Sequence, residues 1–251
     1  MITIKNYARP ATLEEAYELN QKRSNRIIGG MMWLRMSKGN INTAVDLSGL
    51  GLDKITEDGD SFRIGCMCTL RQMELHIGLN SAFGGIFKES VRHIVGVQFR
   101  NGATVGGSVF GRFGFSDVLT ALLALETSVK LYKEGIVPLS EFVKMKRDRD
   151  ILEEIIIKKD GRKAVYLSER MSSTDFPVLT CAVSEKDGMY RIAVGARPMK
   201  AEVTEADEKG VGRAAEHFTY GTNMRGSSEY RKHLAEVLIK RAVSVLKERN
   251  E

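Results

Sequence analysis

Residues 100–117 read RNGATVGGSVFGRFGFSD, a run in which Gly102, Gly106, Gly107, Gly111 and Gly114 alternate with small hydroxyl residues and close on Asp117. Glycine has no Cβ, so paired glycines let backbone N–H groups turn toward a ligand and let that ligand approach closely. Successive N–H groups converging on one concavity form a nest suited to a phosphate or diphosphate. A second pair, Gly29-Gly30, follows the apolar Ile27-Ile28, as at the end of a strand. Two such cups facing one ligand is one reading. Ordinary tight turns account for the spacing equally well, because glycine pairs commonly punctuate turns.

Outward from these pairs, the flanking sequence alternates helix and strand signals. Ile2–Ile4 reads as a strand, and Thr12 with Glu15 three residues later marks a capped helix. Leu13, Ala16, Tyr17 and Asn20 form that helix's inner face. Strands follow at Arg26–Ile28 and Thr43–Leu47. Lys54–Cys66 reads as a hairpin about Asp58-Gly59, and Thr69 with Gln72 caps a helix running to about residue 79. Phe83–His93 has helical spacing. Ser116 caps an apolar helix over Val118–Leu125. Ser128–Tyr132 and Ile136–Pro138 form a hairpin, with strands at Glu154–Lys158 and Ala164–Leu167. Beyond a polar stretch at Arg170–Thr174, Phe176–Val183 and Met189–Val194 pair about Lys186-Asp187-Gly188. Two helices follow, the last over Tyr230–Arg249 with an apolar stripe that includes Leu234, Leu238, Ala242 and Leu246.

Composition narrows the function classes. The 251 residues carry a modest formal charge of +6 and ordinary charged and apolar fractions, 28% and 43%, which fit a globular chain. The densest basic cluster, Lys144–Arg149, has no interleaved aromatic residues and reads as a solvated face, so no nucleic-acid partner is expected. No stretch approaches the roughly 20 apolar residues of a membrane span. The N-terminus lacks the apolar core of a secretory signal, and a cytoplasmic location is expected.

Three cysteines, Cys66, Cys68 and Cys181, match no disulfide framework and no iron–sulfur or zinc spacing. The four histidines are scattered, so no metal site and no catalytic residue is assigned. Gly210–Ala215 spells GxGxxA, but EADEK precedes it where a buried strand belongs. Trp33 could cover a flat ring, with packing against the following strand the more economical reading. No nucleophile–base pair stands out, so an enzymatic role would rest on cofactor chemistry.

Taken together, these landmarks resemble the FAD-binding subunit, or middle domain, of the xanthine dehydrogenase and carbon monoxide dehydrogenase family of molybdenum hydroxylases. IIGGMMWL stands where that family has A-G-G-T-D-L, RNGATVGGS where it has R-N-x-A-T-x-G-G-N, and Ser116-Asp117 where it has S-D. DFPVLTCAV, RIAVGARPMKA and EYRKHLAEVLIKRAV match its C-terminal landmarks in order. The resemblance covers essentially the whole chain. It implies an α+β architecture: a two-subdomain FAD-binding fold of the vanillyl-alcohol-oxidase/PCMH type over residues 1–168 (subdomains about 1–53 and 54–168). A small C-terminal α+β domain, a three-stranded antiparallel sheet with helices, would occupy residues 169–251.

The resemblance also implies a non-covalent FAD whose diphosphate lies between the two glycine stretches. Gly29, Gly30, Met31 and Met32, flanked by Ile28 and Trp33, would face Gly106, Gly107 and Ser108, with Thr104 in support. Asp117 would bind a ribityl or ribose hydroxyl, Ile94 would line the nucleotide, and Ile155 would approach the isoalloxazine. Molybdopterin and a [2Fe–2S] cluster would reside only on partner subunits, a large and a small chain, with NAD or another molecule as electron acceptor. Departures are Met31 and Met32 for the family's Thr and Asp, Ser108 for its Asn, Leu167 for a lysine, and a shorter segment around residues 160–173. They keep open a flavin-free structural or assembly subunit. A free-standing flavin oxidase is a third reading.

Overall fold

Residues 1–250 are described by the computed structural model, and they form three lobes, each around one sheet. The first is a β–α–β unit: β1 (Ile2–Ala8), α1 (Leu13–Gln21), β2 (Arg26–Ile28) and β3 (Gly39–Asp46). β3 lies between β1 and β2, parallel to both. It begins four residues earlier than the sequence implies, because Gly39, Asn40 and Ile41 already pair with the start of β1. Thr12 caps α1 as expected, accepting from Glu15 N at 3.2 Å. Glu15 reaches back to accept from Ala11 N at 2.9 Å, one residue beyond the usual capping-box donor, Thr12 N.

The second lobe holds a five-stranded antiparallel sheet, with a run of short helices between its second and third strands. β4 (Ile55–Glu57) and β5 (Ser61–Gly65) form the expected hairpin, with Asp58 accepting from Asp60 N and Ser61 N at 2.9 and 2.7 Å. Thr69 and Gln72 make a full capping box at α2 (Leu70–Leu75). The expected helix to residue 79 breaks at His76, whose extended backbone ends α2. Its Nδ1 accepts from Leu79 N at 3.0 Å and opens α3 (Ile77–Ala82). Gly84 and Gly85, at φ +68° and +80°, delay the next helix, α4, to Ile86–Val91, leaving Phe83 buried ahead of it.

The quoted glycine stretch differs most from expectation. It folds as three short helices: α5 (Val97–Gly102), α6 (Val105–Phe110) and α7 (Asp117–Leu123). The pair Gly106-Gly107 therefore sits in a first helical turn and not in a tight turn. Thr104 caps that turn, accepting from Gly107 N at 3.2 Å. A Cβ on Gly106 would stand 2.5 Å from the Cys66 carbonyl oxygen, so glycine is required for α6 to pack on the end of β5. Ser116 caps α7 by accepting from Leu119 N at 3.2 Å.

After α7 come β6 (Thr127–Leu131), β7 (Gly135–Pro138), the single turn α8 (Leu139–Phe142) and β8 (Leu152–Lys158), which completes the order β4-β5-β8-β6-β7.

The third lobe is a four-stranded sheet, β9 (Lys163–Arg170), β10 (Pro177–Lys186), β11 (Met189–Gly195) and β12 (Glu202–Asp207), covered by a 3-10 segment (Val211–His217) and α9 (Ser228–Asn250). β9 pairs with β10, so the chain changes sheets between Lys158 and Lys163, and a boundary at 168 falls inside β9. That added strand is why the sheet has four strands and not three. The alternation of β9 makes it a shared wall: Ala164 and Tyr166 face the core of the second lobe, while Val165 and Leu167 face the core beneath α9. β12 and the 3-10 segment replace the expected penultimate helix. At its start, α9 buries Arg231 completely, donating to the Val178, Gly221 and Gly226 carbonyls and to Asn223 Oδ1.

Arg100, which opens the quoted stretch, ties these helices together. Its guanidinium forks onto Glu74 of α2 (Nε–Oε2 2.8 Å, Nη2–Oε1 3.1 Å) and also donates to the Arg92 and Ile94 carbonyls. Burial pushes the Glu74 carboxyl up, but hydrogen bonds and charge from Arg100 and Arg71 outweigh it and hold the pKa below the usual value. A folded pKa below the unfolded one stabilises the protein above the unfolded pKa, and that stabilisation is lost as pH falls through the folded value. Glu74→Gln is expected to cost roughly 3 kcal/mol at neutral pH by stranding Arg100. It should also flatten the acid limb of stability against pH, both measured by denaturant unfolding from pH 7 to 3.

Candidate functional site

The loop after β2 is fixed by contact with the end of α5. A side chain on Gly30 would run into the Gly102 carbonyl, and a Cβ on Gly29 would lie 2.6 Å from Thr104 Oγ1. The two glycine stretches thus touch. Within the loop Met31 takes the left-handed conformation, φ +57°, which side chains rarely adopt. The N–H groups of Gly30, Met31, Met32 and Trp33 donate to no acceptor among the described residues. Consecutive free donors around a left-handed residue form an anion nest. A strained backbone kept at such a point marks a functional candidate.

The second stretch behaves differently. Gly106 N donates to Cys66 O (2.9 Å), Gly107 N to Thr104 Oγ1 (3.2 Å) and Ser108 N to Thr104 O (3.2 Å). The sequence reading of two opposed cups is therefore corrected: one cup, at residues 30–33, rests beside a side-chain-free helical surface. Helix α6 needs those N–H groups for its own cap and its anchor on β5, which is why they do not project.

Two cavities flank this contact. One, of about 380 Å³, is lined by the 29–34 loop, Ile94, Thr104, Gly107, Ser108 and Asp117, and by Arg170 and Phe176 of the third lobe. The other, of about 260 Å³, is lined by Ile28, Gly106, Cys66, Ile151 and the basic residues Arg26 and Arg149. Gly29, Thr104, Gly107 and Gly111 border both. An elongated ligand could pass over the shared glycine ridge with its centre at the free N–H groups.

Both methionines line the larger cavity and are packed against the protein. The Met32 methyl end tucks into the space beside Gly102, and Met31 packs against the Ile28, Ile41 and Ala44 cluster. Trp33, 46% exposed, stacks on Phe176 (centroids 5.4 Å, 29°) and meets Phe99 edge-on at 5.4 Å. These two ring partners come from the other two lobes. Phe115 continues the aromatic wall, 4.8 Å from Phe176.

Asp117 begins α7, buried, and its Oδ1 accepts from both the Tyr166 hydroxyl and Arg170 Nη2. Burial pushes its carboxyl up, with the Arg170 charge the largest pull the other way. Burial and then the Asp117 charge push the Tyr166 hydroxyl well above 10. Of the residues singled out from sequence, only Ile155 lies away from both cavities. It sits fully buried in β8 between Ile64 and Val129, where the sheet core leaves no opening.

Arg170, Phe176 and Phe99 were not anticipated. Arg170 and Phe176 belong to another sheet, and nothing local in the sequence signals that the chain returns there. No group of three or more metal-ligating side chains occurs among the described residues. No helix among them is long and apolar enough to cross a membrane. The three cysteines are buried thiols; burial raises Cys66 and Cys181 to about 12 and Cys68 to about 11.

Residues 2–159 match the family described as the FAD binding domain in molybdopterin dehydrogenase. YgfM of Escherichia coli K12 is 26% identical over 253 residues, covering 94% of each chain. The nicotine 6-hydroxylase medium subunit of Paenarthrobacter nicotinovorans is 26% identical over 278 residues, covering 94% of this chain and 95% of the relative. Among solved structures, a chain of carbon monoxide dehydrogenase from Hydrogenophaga pseudoflava superposes with a TM-score of 0.83 at 21% identity, covering 97% of both chains.

The ridge geometry makes Gly30 the most sensitive position. Gly30→Ala must push the loop off Gly102, and FAD affinity measured by fluorescence titration is expected to fall by roughly a hundredfold, on the order of two hydrogen bonds if the free N–H groups meet the ligand.

Proposed function

The chain belongs to the family of FAD-binding domains in molybdopterin dehydrogenases, and from that premise we propose that it is the flavin-binding, electron-transfer subunit of a molybdenum hydroxylase. In this role electrons leave an iron–sulfur partner and reach NAD or another acceptor by way of FAD. A small [2Fe–2S] chain and a large molybdopterin chain would be its partners, consistent with the lack of cluster cysteines in this sequence. The chain would not turn over alone.

The observation that carries the reading is the row of free N–H groups at Gly30–Trp33 beside a two-sided, glycine-floored cleft. The residues suit FAD on three counts. The loop offers donors to a diphosphate, whose charge such a nest favours. The glycine ridge lets an extended dinucleotide lie flat over it. The walls pair aromatic and aliphatic surface with one buried carboxylate able to accept from a hydroxyl.

Bound FAD supplies the ability to take up electrons from one partner and deliver them to another. The protein's part is to orient and shield. Gly30, Met31, Met32 and Trp33 hold the diphosphate from the backbone, which explains why the methionines can replace a hydroxyl and an acid without removing the grip. Thr104 keeps α6 in place under the ridge. Trp33, Phe176 and Phe115 exclude water from one side of the cleft. Asp117, held by Tyr166 and Arg170, receives a ligand hydroxyl.

Protein purified with its partner chains and then denatured is expected to release about one FAD per chain, read by absorbance and chromatography. A colourless protein without saturable FAD binding would contradict the proposal and favour a flavin-free structural subunit. Turnover by the isolated chain would favour a self-sufficient oxidase.

A further inference from the structure

The geometry points to Arg170 as a positioning residue for the bound nucleotide. It acts through Asp117 and makes the third lobe an integral part of the binding site. This inference rests on the FAD reading above. Arg170 ends β9, buried, beyond the residues that match the family. Its guanidinium is held on three sides: Nη1 donates to Asp175 O at 2.7 Å, Nε to Ser168 Oγ at 3.3 Å, and Nη2 to Asp117 Oδ1. The Tyr166 hydroxyl, two turns of the pleat earlier on the same strand, donates to that same oxygen.

Both donors thus converge on Oδ1; among the described residues no other residue donates to Oδ2, and the carboxylate's one further contact is with its own backbone N–H. Asp117 and Arg170 both line the 380 Å³ cavity. A buried carboxylate oxygen with unused lone pairs is an acceptor awaiting a donor, because leaving it unmatched away from water is costly. The group that fits is a hydroxyl of a sugar or polyol. Arg170 performs two tasks. Its charge opposes the burial that favours the protonated, donor form of Asp117. Its fixed fork, anchored to the Asp175 carbonyl, selects which oxygen is left over.

Arg170 also connects to the aromatic wall. The Asp175 whose carbonyl it holds precedes Phe176, the ring on which Trp33 stacks, and the Asp175 carboxylate is paired with Arg225 at 3.0 Å. One strand end of the third lobe therefore sets both a polar and an aromatic contact in the cleft. Lysine could restore the charge but not the fork, which needs three separate donor directions.

The test is a double-mutant cycle on FAD affinity in the full-length chain, with Arg170→Met, Asp117→Asn and the double variant, plus Arg170→Lys. Each single substitution is expected to weaken FAD binding by roughly ten- to a hundredfold. The double variant should be no weaker than the poorer single, because both substitutions act through the same acceptor, the Asp117 carboxylate. Arg170→Lys should recover part of the loss. Riboflavin and ADP, titrated in parallel, report whether the hydroxyl belongs to the ribityl chain or the ribose: only the one whose hydroxyl meets Asp117 should show the cycle.

Additive losses in the double variant would overturn the inference, as would FAD affinity unchanged in Arg170→Met. Thermal melts of the ligand-free variants separate binding from folding. If Arg170→Met melts far below the parent and Arg170→Lys rescues the melt but not affinity, Arg170 is structural only and the inference is wrong. A parent chain that binds no FAD would instead remove the functional reading itself, and this inference with it.

Discussion

A single close approach governs this molecule: the Gly30 backbone lies against the Gly102 carbonyl with no room for a side chain between them. That contact welds the first lobe to the helical run of the second and sets the height of the 29–33 loop over α6. Held there by that contact and by its own side chains, the loop leaves the N–H groups of Gly30, Met31, Met32 and Trp33 with no acceptor among the described residues. An unpaired, partly buried donor is costly unless a ligand or water meets it, so the packing that builds the fold also leaves the donors that the proposed diphosphate would meet.

Three arginines stabilise the surroundings of that contact. Arg100 fastens α5 to α2 and to the end of α4 through Glu74 and two carbonyls. Arg149 donates to the carbonyls of Asn20, Lys22 and Asn25, closing the first lobe against the second at the mouth of the smaller cavity. Arg170 brings the third lobe onto Asp117. Each guanidinium reaches several acceptors at once, the use its planar fork suits. The hydroxyl pair Thr120 and Thr180, 2.9 Å apart, joins α7 to β10 in the same way on a smaller scale. The cleft is thus a junction of all three lobes, and β9, with one face to each of two cores, is the strand the second and third lobes share.

Much of this was legible in the sequence where the signal is local. Thr12, Thr69 and Ser116 cap the helices that follow them, and Asp58-Gly59 and Asp187-Gly188 turn their hairpins. The two glycine stretches do lie against one another between two cavities, but the reason for glycine was not legible. At Gly106 the requirement is a carbonyl of β5 pressing on the helix, a tertiary contact that no spacing rule contains. His76 and the left-handed Gly84 and Gly85 broke helices whose apolar periodicity continued across them. β12 and the membership of β9 were missed because strand pairing depends on partners distant in sequence. For the same reason Arg170 and Phe176 gave no forewarning, whereas Ile155, placed by analogy on a strand near the cleft, points into the sheet core. The family resemblance supplied the architecture, and the structure supplied which backbone donors remain free.

The most direct test of the account is the amide NMR spectrum of the chain titrated with FAD. Free donors that meet a diphosphate must shift on binding, whereas donors already bonded inside the protein need not. The account predicts saturable movement of the Gly30, Met31, Met32 and Trp33 amide signals, with those of Gly106 and Gly107 changing little. Large shifts at Gly106–Ser108 with a silent first loop, or no saturable change anywhere, would contradict it.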